Sequence, residues 1–321
     1  DHSFEKSYPQ GSVFSGGGSG FVNTTRTVTP LQGLKAAGAT VGFSNDGKAA
    51  KDADVVVICA AAHSEEGWDR NNLTLPEAAE LVSALRKQAG AKKIVVLAMV
   101  PGSVTTEWVE DADAVLLMFM PGEQVGPAVA ALLTGDAGPG GRLPVSMPAA
   151  GETRFTPDQY PGNPFNDVNM VAKFSEGRLI GYRWNDAKDI PSAYPFGFGL
   201  SYTDFTFADF DAKCLGKEAM VTLKVKNAGK RDGKAVPQLY IGFPSLAPAV
   251  RQLRGFQKVE VAAGDEEDVV FILGEEDWSF YSEDKGRWVS AMESGEKITV
   301  SVGTDSANLE WHHTLSCGNT N

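Results

Sequence analysis

Residues 92–100 read KKIVVLAMV, one of three continuous apolar runs in the first half of the chain. The other two are DVVVICA at 54–60 and DAVLLMF at 113–119. Such runs, rich in Val, Ile and Leu, are typical of strands that are buried on both faces, as they are in parallel sheets. They therefore predict the central strands of a mostly parallel sheet.

Helical patterns lie between the predicted strands. The clearest covers 76–89, which begins with a proline and is followed directly by a glycine, the usual asymmetry of a helix start and stop. Further helices are predicted at 122–134 and near 31–37. Because strand and helix alternate, residues 1–150 are predicted to form an α/β sandwich domain with helices on both faces of the sheet.

A different composition begins after this domain. Residues 151–204 are rich in Gly, Pro, Asn and Tyr and predict an ordered linker with aromatic anchors. In residues 205–321 short runs alternate polar and apolar side chains, the period of strands with one buried face. We expect an all-β sandwich of about seven antiparallel strands, of the immunoglobulin or fibronectin type III kind. The clearest runs lie at 221–229, 236–243, 257–264, 268–274, 286–292 and 297–303.

The bulk composition narrows the classes of function. The chain has 321 residues and a formal net charge of -12, which argues against nucleic acid as a partner because phosphates recruit Lys and Arg. No apolar run approaches the roughly 20 residues that a membrane helix needs. No His or Cys spacing typical of a metal site occurs, so neither a metal nor another cofactor is expected.

The cysteines and two glycosylation sequons bear on the compartment. Three cysteines do not force a disulfide framework, but Cys214 and Cys317 bracket the last third of the chain and could pair, while Cys59 is expected to be a buried free thiol. Asn23 and Asn72 each begin an acceptor sequon. The chain begins with DHSFEKSYPQ rather than Met, as expected of a processed protein. The two sequons and the processed start together favour secretion or a secretory compartment.

An acidic stretch, HSEEGWDRNN at 63–72, directly follows the first predicted strand. In open α/β sheets, ligands bind beyond the carboxyl ends of strands. A carboxyl group serves as a general acid near neutral pH when burial or neighbouring negative charge raises its pKa, and Glu65, Glu66 and Asp69 could crowd one another in this way. Composition alone favours a solvated acidic loop, because an isolated acidic cluster is a weak signal.

A glycine-rich stretch, SGGGSG at 15–20, is the second candidate feature. It is not a Walker motif, because no Lys-Ser/Thr pair follows, and its spacing does not fit a dinucleotide-binding fingerprint. The glycines instead predict a loop whose backbone approaches another group closely.

Seven stretches, in order along the chain, resemble glycoside hydrolase family 3 of the β-glucosidase type. The resemblance covers nearly the whole chain and implies the second and third domains of that family, an α/β sandwich and a fibronectin type III-like domain. The stretches are SGGGSG (15–20), EEGWDRNNLTLP (65–76), GRLPVSMP (141–148), EGRLIGYRW (176–184), YPFGFGLSYTDF (194–205), VKNAGKRDGKAVPQLYI (225–241) and LRGFQKVEVAAG (253–264).

The resemblance implies a retaining β-glucosidase that acts on terminal non-reducing β-D-glucosyl residues, with β-xylosidase-type specificity as an alternative. The implied general acid/base is Glu66, directly before Gly67, with Glu65 as the fallback. Trp68 would border the sugar, where its flat face could stack on the ring. The implied substrate-binding residues are Trp68, Asp69, Arg70, Gly18 and Ser19.

The second catalytic carboxyl group is expected outside this chain. Retaining glycosidases need two carboxyl groups about 5–5.5 Å apart, and the family places the nucleophilic aspartate on an N-terminal (β/α)8 barrel. The only Asp-Trp pair here, Asp277-Trp278, falls among the sandwich strands and is expected to be structural.

The family also has an apolar strand before the glycine-rich stretch, so the α/β domain is expected to lack its first strand. We therefore expect the chain to be a C-terminal product that stays bound to the barrel-containing N-terminal part of the same precursor. The alternative is a non-catalytic carbohydrate-binding or scaffold protein derived from the family.

Overall fold

The computed structural model describes residues 13–67, 70, 72–89, 93–149, 174–244 and 251–317. These residues form two compact units. The first runs to Ala137 and includes 147–149, and the second contains 138–146 and the described residues from 174 onward. Among the described residues, no helix combines the length and the apolar character needed to cross a membrane.

A parallel sheet of three strands forms the centre of the first unit. Its strands are β1 (Val55–Ala61), β2 (Lys93–Met99) and β3 (Ala114–Met118), and β2 lies in the middle. After its first residue, β2 is buried along its whole length. The apolar runs are thus confirmed as strands of a parallel sheet.

Three helices accompany this sheet, namely α1 (Pro30–Ala36), α2 (Pro76–Ala89) and α3 (Val125–Thr134). Helix α2 contacts β1 and β2, while α3 packs two valines on Val95 and Leu97 of β2. Because successive strand residues point to opposite faces, the burial of both Val95 and Val96 requires cover on both sides of the sheet.

Helices α1 and α3 cross at two glycines. A Cβ atom at Gly33 would lie 2.7 Å from the Cα atom of Gly126, so no larger residue fits without separating the helices. Helix α1 begins at a capping box in which Thr29 Oγ1 accepts from Gln32 N at 3.3 Å and Gln32 Oε1 accepts from Thr29 N at 2.8 Å. These contacts fix the segment that follows the glycine-rich stretch.

The second unit contains an antiparallel sandwich, as predicted. One sheet has the order β10-β5-β4 and the other β14-β13-β7-β8, so seven strands form its two layers. Their bounds are β4 Phe205–Leu215, β5 Glu218–Asn227, β7 Gln238–Gly242, β8 Arg251–Phe256, β10 Glu266–Leu273, β13 Ile298–Gly303 and β14 Leu309–Leu315. The smaller elements are α4 Tyr182–Lys188, β6 Gly233–Ala235, β9 Val259–Val261, β11 Ser279–Ser282, β12 Arg287–Ser290 and α5 Ala291–Ser294.

The sandwich core follows the alternating pattern of the strands. In β5 every second residue is buried, and Val221, Leu223 and Val225 join the core. Trp278 is also in this core, with 1% of its surface exposed, while the neighbouring Asp277 accepts a hydrogen bond from Gly274 N at 2.8 Å. The Asp-Trp pair therefore occupies a structural position in the sandwich.

The cysteines have different surroundings. Cys214 in β4 and Cys317 after β14 form a disulfide with a Cα–Cα distance of 5.6 Å. Cys59 was expected to be buried, and this was wrong, because Cys59 is exposed. It lies on β1, which has one neighbouring strand, β2, among the described residues.

The described part of the predicted linker, residues 174–204, carries aromatic contacts within the second unit. The ring of Tyr182 stacks on Phe196 with a centroid distance of 4.8 Å, and its hydroxyl oxygen accepts from Leu253 N at 2.9 Å. The preceding part of the linker, residues 151–173, lies outside the described residues.

Candidate active site

The candidate site lies at the carboxyl edge of the parallel sheet. Phe14 and Phe21 flank the glycine-rich stretch, and both belong to a hydrophobic cluster with the last residue of each of the three strands. This packing holds residues 15–20, the glycine loop, above the strand ends. The acidic stretch at 63–72, here called the acidic loop, follows β1 at the same edge, so two segments that are distant in the sequence meet there.

Two adjacent glutamates hold the glycine loop. The backbone N–H of Gly18 donates to Glu65 Oε2 at 3.3 Å, and the N–H of Ser19 donates to Glu66 Oε2 at 3.0 Å. The hydroxyl of Ser19 donates to the same oxygen of Glu66. Each glutamate therefore binds its own residue of a short 3-10 turn, Gly18–Gly20.

The glycines allow this close approach. A Cβ atom at Gly17 would lie 2.5 Å from Cβ of Glu65, and one at Gly18 would lie 2.5 Å from Cβ of Glu66. Gly18 also has a φ of +60°, a conformation that side chains rarely adopt. The glycine loop thus approaches the two glutamates, and its backbone donors at Gly18 and Ser19 bind carboxylates of this chain.

The side chain of Glu66 is exposed, and its pKa is lowered from the usual value. The largest cause is the hydrogen bond from the Ser19 hydroxyl, followed by that from the Ser19 backbone N–H, because both stabilise the ionised carboxylate. The sequence suggested that crowding among carboxylates would raise the pKa of an acid in this stretch. For Glu66 the direction is the opposite, because the hydroxyl and the backbone N–H of Ser19 both donate to one oxygen of its carboxylate.

Glu65 has a different environment. Its side chain is only 11% exposed, and its Oε2 atom lies 3.6 Å from Nε2 of His63, which is 16% exposed. Glu65 thus links His63 to the glycine loop inside the edge of the sheet. Of the two glutamates, only Glu66 presents its carboxylate to the solvent.

Arg70 fixes the far end of the acidic loop. Its Nη2 atom donates to the carbonyl oxygen of Ser103 at 3.1 Å, and Thr105 N donates to the carbonyl oxygen of Leu73 at 2.9 Å. The first contact joins the acidic loop to the loop after β2, and the second joins the residue directly after the acidic loop to that same segment. Arg70 therefore helps to hold the acidic loop in place. Trp68 and Asp69 lie outside the described residues.

Both predicted glycosylation asparagines are exposed. Asn72 Oδ1 accepts from Thr74 N at 3.0 Å and from Thr74 Oγ1 at 2.6 Å, so this sequon forms a tight turn. In the other sequon, Thr24 Oγ1 donates to Glu123 Oε2 at 2.6 Å. In the part of the chain that the structure describes, no group of three or more His, Cys, Asp or Glu side chains could hold a metal ion.

The contact between Ser19 and Glu66 is the feature that sequence reasoning missed. The family resemblance implies that Ser19 binds substrate, but its two donors bind the carboxylate of the predicted acid/base. The partners are separated by 47 positions, and neither local pattern signals the other. His63 was also not singled out, although it lies beside Glu65.

Comparisons with known proteins agree with this architecture. Residues 5–202 match the family model of the glycosyl hydrolase family 3 C-terminal domain, and residues 235–306 match that of the fibronectin type III-like domain. Thermostable β-glucosidase B of Acetivibrio thermocellus is 30% identical over 326 residues, which cover 92% of this chain and 42% of that protein. A probable β-glucosidase D of Aspergillus niger is 32% identical over 290 residues, with 83% and 37% covered.

Solved structures give the same result. β-Glucosidase 3B from Thermotoga neapolitana in complex with glucose superposes with a TM-score of 0.84 at 26% identity, covering 98% of this chain and 49% of that one. DesR, a β-glucosidase from Streptomyces venezuelae, gives 0.75 at 31% identity, with 90% and 36% covered. The chain spans 42% and 37% of the two curated relatives named above. With residues 5–202 matched by the family model and 92% of its length aligned with thermostable β-glucosidase B, the chain belongs to glycoside hydrolase family 3.

Proposed function

We propose that the chain is the acid/base-bearing C-terminal half of a retaining β-glucosidase that hydrolyses terminal non-reducing β-D-glucosyl residues. The observation that carries this proposal is the position of Glu66. Its carboxylate is exposed at the carboxyl edge of the parallel sheet, on a loop held by the glycine loop. The relatives that share this architecture are named β-glucosidases.

In this mechanism Glu66 acts twice. It first donates a proton to the glycosidic oxygen as the leaving group departs, and it then takes a proton from the water that hydrolyses the glycosyl-enzyme intermediate. The lowered pKa of Glu66 favours the ionised form, because Ser19 donates to it, and this form suits the second step. The first step needs a protonated carboxyl group, so bound substrate and the completed site must raise the pKa of Glu66 by excluding water.

The nucleophile is proposed to come from a separate part of the enzyme. A retaining mechanism needs a second carboxyl group about 5–5.5 Å from the acid/base. We assign it to an aspartate on the N-terminal (β/α)8 barrel of the same precursor, as the family resemblance implies. The partner of this chain is then the barrel-containing fragment.

The outer edge of β1 supports such a partner. Among the described residues β1 pairs only with β2, and Val55 at its start is 50% exposed. Cys59 on the same strand is also exposed. An uncovered strand edge with apolar side chains can accept another strand. Intact mass of the native material tests this, and a monodisperse 34.2 kDa species with no second polypeptide would count against it.

The compartment is proposed to be oxidising. The disulfide between Cys214 and Cys317 forms and persists outside the reducing cytosol, and Asn23 and Asn72 are both exposed acceptors. Together they support secretion or a secretory compartment. Mass spectrometry of peptides from the native protein would show glycans on the two asparagines, and unmodified peptides would oppose the proposal.

The substitution Glu66→Gln tests the catalytic assignment in the complete enzyme. General acid–base catalysis contributes roughly 10²–10⁴-fold, so turnover of substrates with poor leaving groups should fall by about that factor. Activated aryl β-glucosides need less proton donation and should be affected less in their first step. Glu65→Gln is the matched control, since Glu65 is turned away from solvent.

If the Glu66→Gln variant hydrolysed both types of substrate at the wild-type rate, the assignment of Glu66 as the acid/base would be wrong. A larger loss in Glu65→Gln than in Glu66→Gln would transfer the role to Glu65. The sugar specificity is determined by comparing the rates of the wild-type enzyme on β-glucosides and on β-xylosides.

A second candidate function is carbohydrate binding without catalysis. Tyr281 and Trp288 are exposed by 47% and 62% on the hairpin β11–β12, and their rings meet edge to face at 6.1 Å. Exposed aromatic faces of this kind suit an apolar sugar face. Trp288→Ala should weaken oligosaccharide binding in calorimetry, whereas Phe256→Ala, at a residue that is 65% exposed, should not. Equal binding by both variants would remove this candidate.

A further inference from the structure

Ser19 presents both of its donors to the same atom, Oε2 of Glu66. The backbone N–H lies 3.0 Å from this oxygen, and the hydroxyl also donates to it. The neighbouring N–H of Gly18 is directed to Glu65 at 3.3 Å. The donors of Gly18 and Ser19 are therefore already bound to carboxylates of this chain.

The two oxygens of Glu66 have different environments. Oε2 is held by Ser19, whereas Oε1 accepts no hydrogen bond from the described residues. A proton can thus be exchanged at Oε1 while Oε2 keeps the carboxyl group in place. A carboxyl group held by one oxygen loses rotational freedom, which is the condition for accurate proton transfer.

We propose that Ser19 is a positioning residue that anchors Oε2 of Glu66 and leaves Oε1 as the atom that exchanges the proton. The inference rests on the proposed acid/base function of Glu66 and gives the glycine loop a part in it. Ser19 acts through Glu66 and does not itself bind the sugar. Because its donors favour the carboxylate, Ser19 also sets the balance between the acid and base forms.

The glycine loop is built to keep this anchor. Gly17 and Gly18 bring the backbone against Glu65 and Glu66, at distances that a side chain on either glycine would prevent. Glu65 holds the turn from the buried side, where its Oε2 atom lies 3.6 Å from His63 Nε2. Ser19 is thus presented to Glu66 by a segment that is fixed at the preceding residue.

The first experiment measures the titration of Glu66 in the isolated chain by NMR of ¹³C-labelled glutamate side chains. The Glu66→Gln variant assigns the signal. In Ser19→Ala the midpoint should shift upward from the wild-type value, because one donor to the carboxylate is lost while the backbone donor remains. An unchanged midpoint in Ser19→Ala would overturn the proposal.

Three further variants make the result specific. Ser19→Thr keeps a hydroxyl and should restore the wild-type midpoint. Ser15→Ala removes a hydroxyl of the same loop that donates to the carbonyl oxygen of Gly16 at 3.3 Å, and it should leave the midpoint unchanged. Ser19→Gly removes the hydroxyl from a turn already rich in glycine, so it serves if Ser19→Ala does not fold. An equal shift in Ser15→Ala would also contradict the proposal.

Kinetics of the complete enzyme provide the second readout. Loss of the Ser19 hydroxyl should move the alkaline limb of the kcat/KM profile to higher pH for substrates with poor leaving groups, because the acid form persists longer. A lower rate with no shift of the alkaline limb would indicate that Ser19 has only a structural role, and it would contradict the proposal.

The two proposals can fail separately. Wild-type turnover by Glu66→Gln would overturn the acid/base function while the titration still reports on the anchor. If the titration midpoint of Glu66 were unchanged in Ser19→Ala while Glu66→Gln lost turnover, only the anchoring role of Ser19 would be overturned.

Discussion

Glu65 and Glu66 are neighbours in the chain but differ in almost every physical respect. The side chain of Glu65 is 11% exposed and lies beside His63, whereas that of Glu66 is exposed and binds Ser19. The glycine loop contacts both residues and offers each a separate backbone donor. Composition could place a carboxyl pair here, but it could not tell which member faces the solvent.

The glycine at position 18 should be sensitive to substitution. In Gly18→Ala the new Cβ would lie 2.5 Å from Cβ of Glu66, and the backbone has a φ of +60°. We expect the free energy of unfolding to fall by about 1–3 kcal/mol, the usual range for a strained backbone position.

Urea unfolding of the chain measures this loss, and Gly16→Ala is the control. A Cβ at Gly16 would have no atom within 4 Å, so its effect should stay within about 0.5 kcal/mol. Equal losses in the two variants would show that the close approach to Glu66 is unimportant.

At the scale of elements, the strength of the local pattern decides what can be predicted. The strands β1, β2 and β3 are continuous apolar runs, and they were located to within a residue or two. The eleven-residue strand β4 was missed, because its alternation is interrupted where the register shifts between Ala208 and Asp211. Asp209 at this irregularity has a φ of +53°. Such a bulge depends on the partner strand, which a local pattern does not contain.

Asp113, just before β3, ties three parts of the first unit together. Its carboxylate accepts from Arg86 of α2 at 2.7 Å, from the backbone N–H of Ile94 at 2.9 Å and from Lys93 at 2.9 Å. The Arg86 hydrogen bond, then those of Ile94 and Lys93, holds the pKa of Asp113 well below its ordinary value of 3.8. The folded chain therefore binds this proton less readily than the unfolded chain.

Asp113→Asn should lose stability in a pH-dependent manner. A lowered pKa contributes stability that is fully present above the unfolded value of 3.8 and is lost as the pH falls toward the folded value. Wild type should thus exceed the variant in urea midpoint at pH 5 to 7, and the difference should shrink below about pH 4. A difference that stays constant from pH 7 to pH 3 would contradict this account.

At the scale of the whole molecule, two units of different construction share one chain. The first buries a parallel sheet between helices, and the second buries two antiparallel sheets against each other. The disulfide belongs to the second unit, where it closes a loop of 103 positions between β4 and the segment after β14. A long closed loop lowers the entropy of the unfolded chain, so this link should stabilise the sandwich.

Removal of the disulfide should therefore destabilise the second unit selectively. The double variant Cys214→Ser/Cys317→Ser is expected to lose about 2–5 kcal/mol of unfolding free energy. Hydrogen exchange of peptides from β5 reports on the sandwich, and peptides from β2 report on the parallel sheet. Cys59→Ser is the control, and comparable loss of protection in both regions would refute a selective effect.

The sequence by itself determined the class of both units, the positions of the parallel strands and the family resemblance. These features depend on hydrophobic periodicity and on short motifs. Both are local and can be recognised in the sequence without knowing which residues are in contact. It also directed attention to HSEEGWDRNN at 63–72. Only the tertiary structure decided the surroundings of Glu66, because they depend on Ser19, which is 47 positions away. Phe14 and Phe21 bring that residue to the strand ends by packing on the last residues of three strands, and no local pattern records such a meeting.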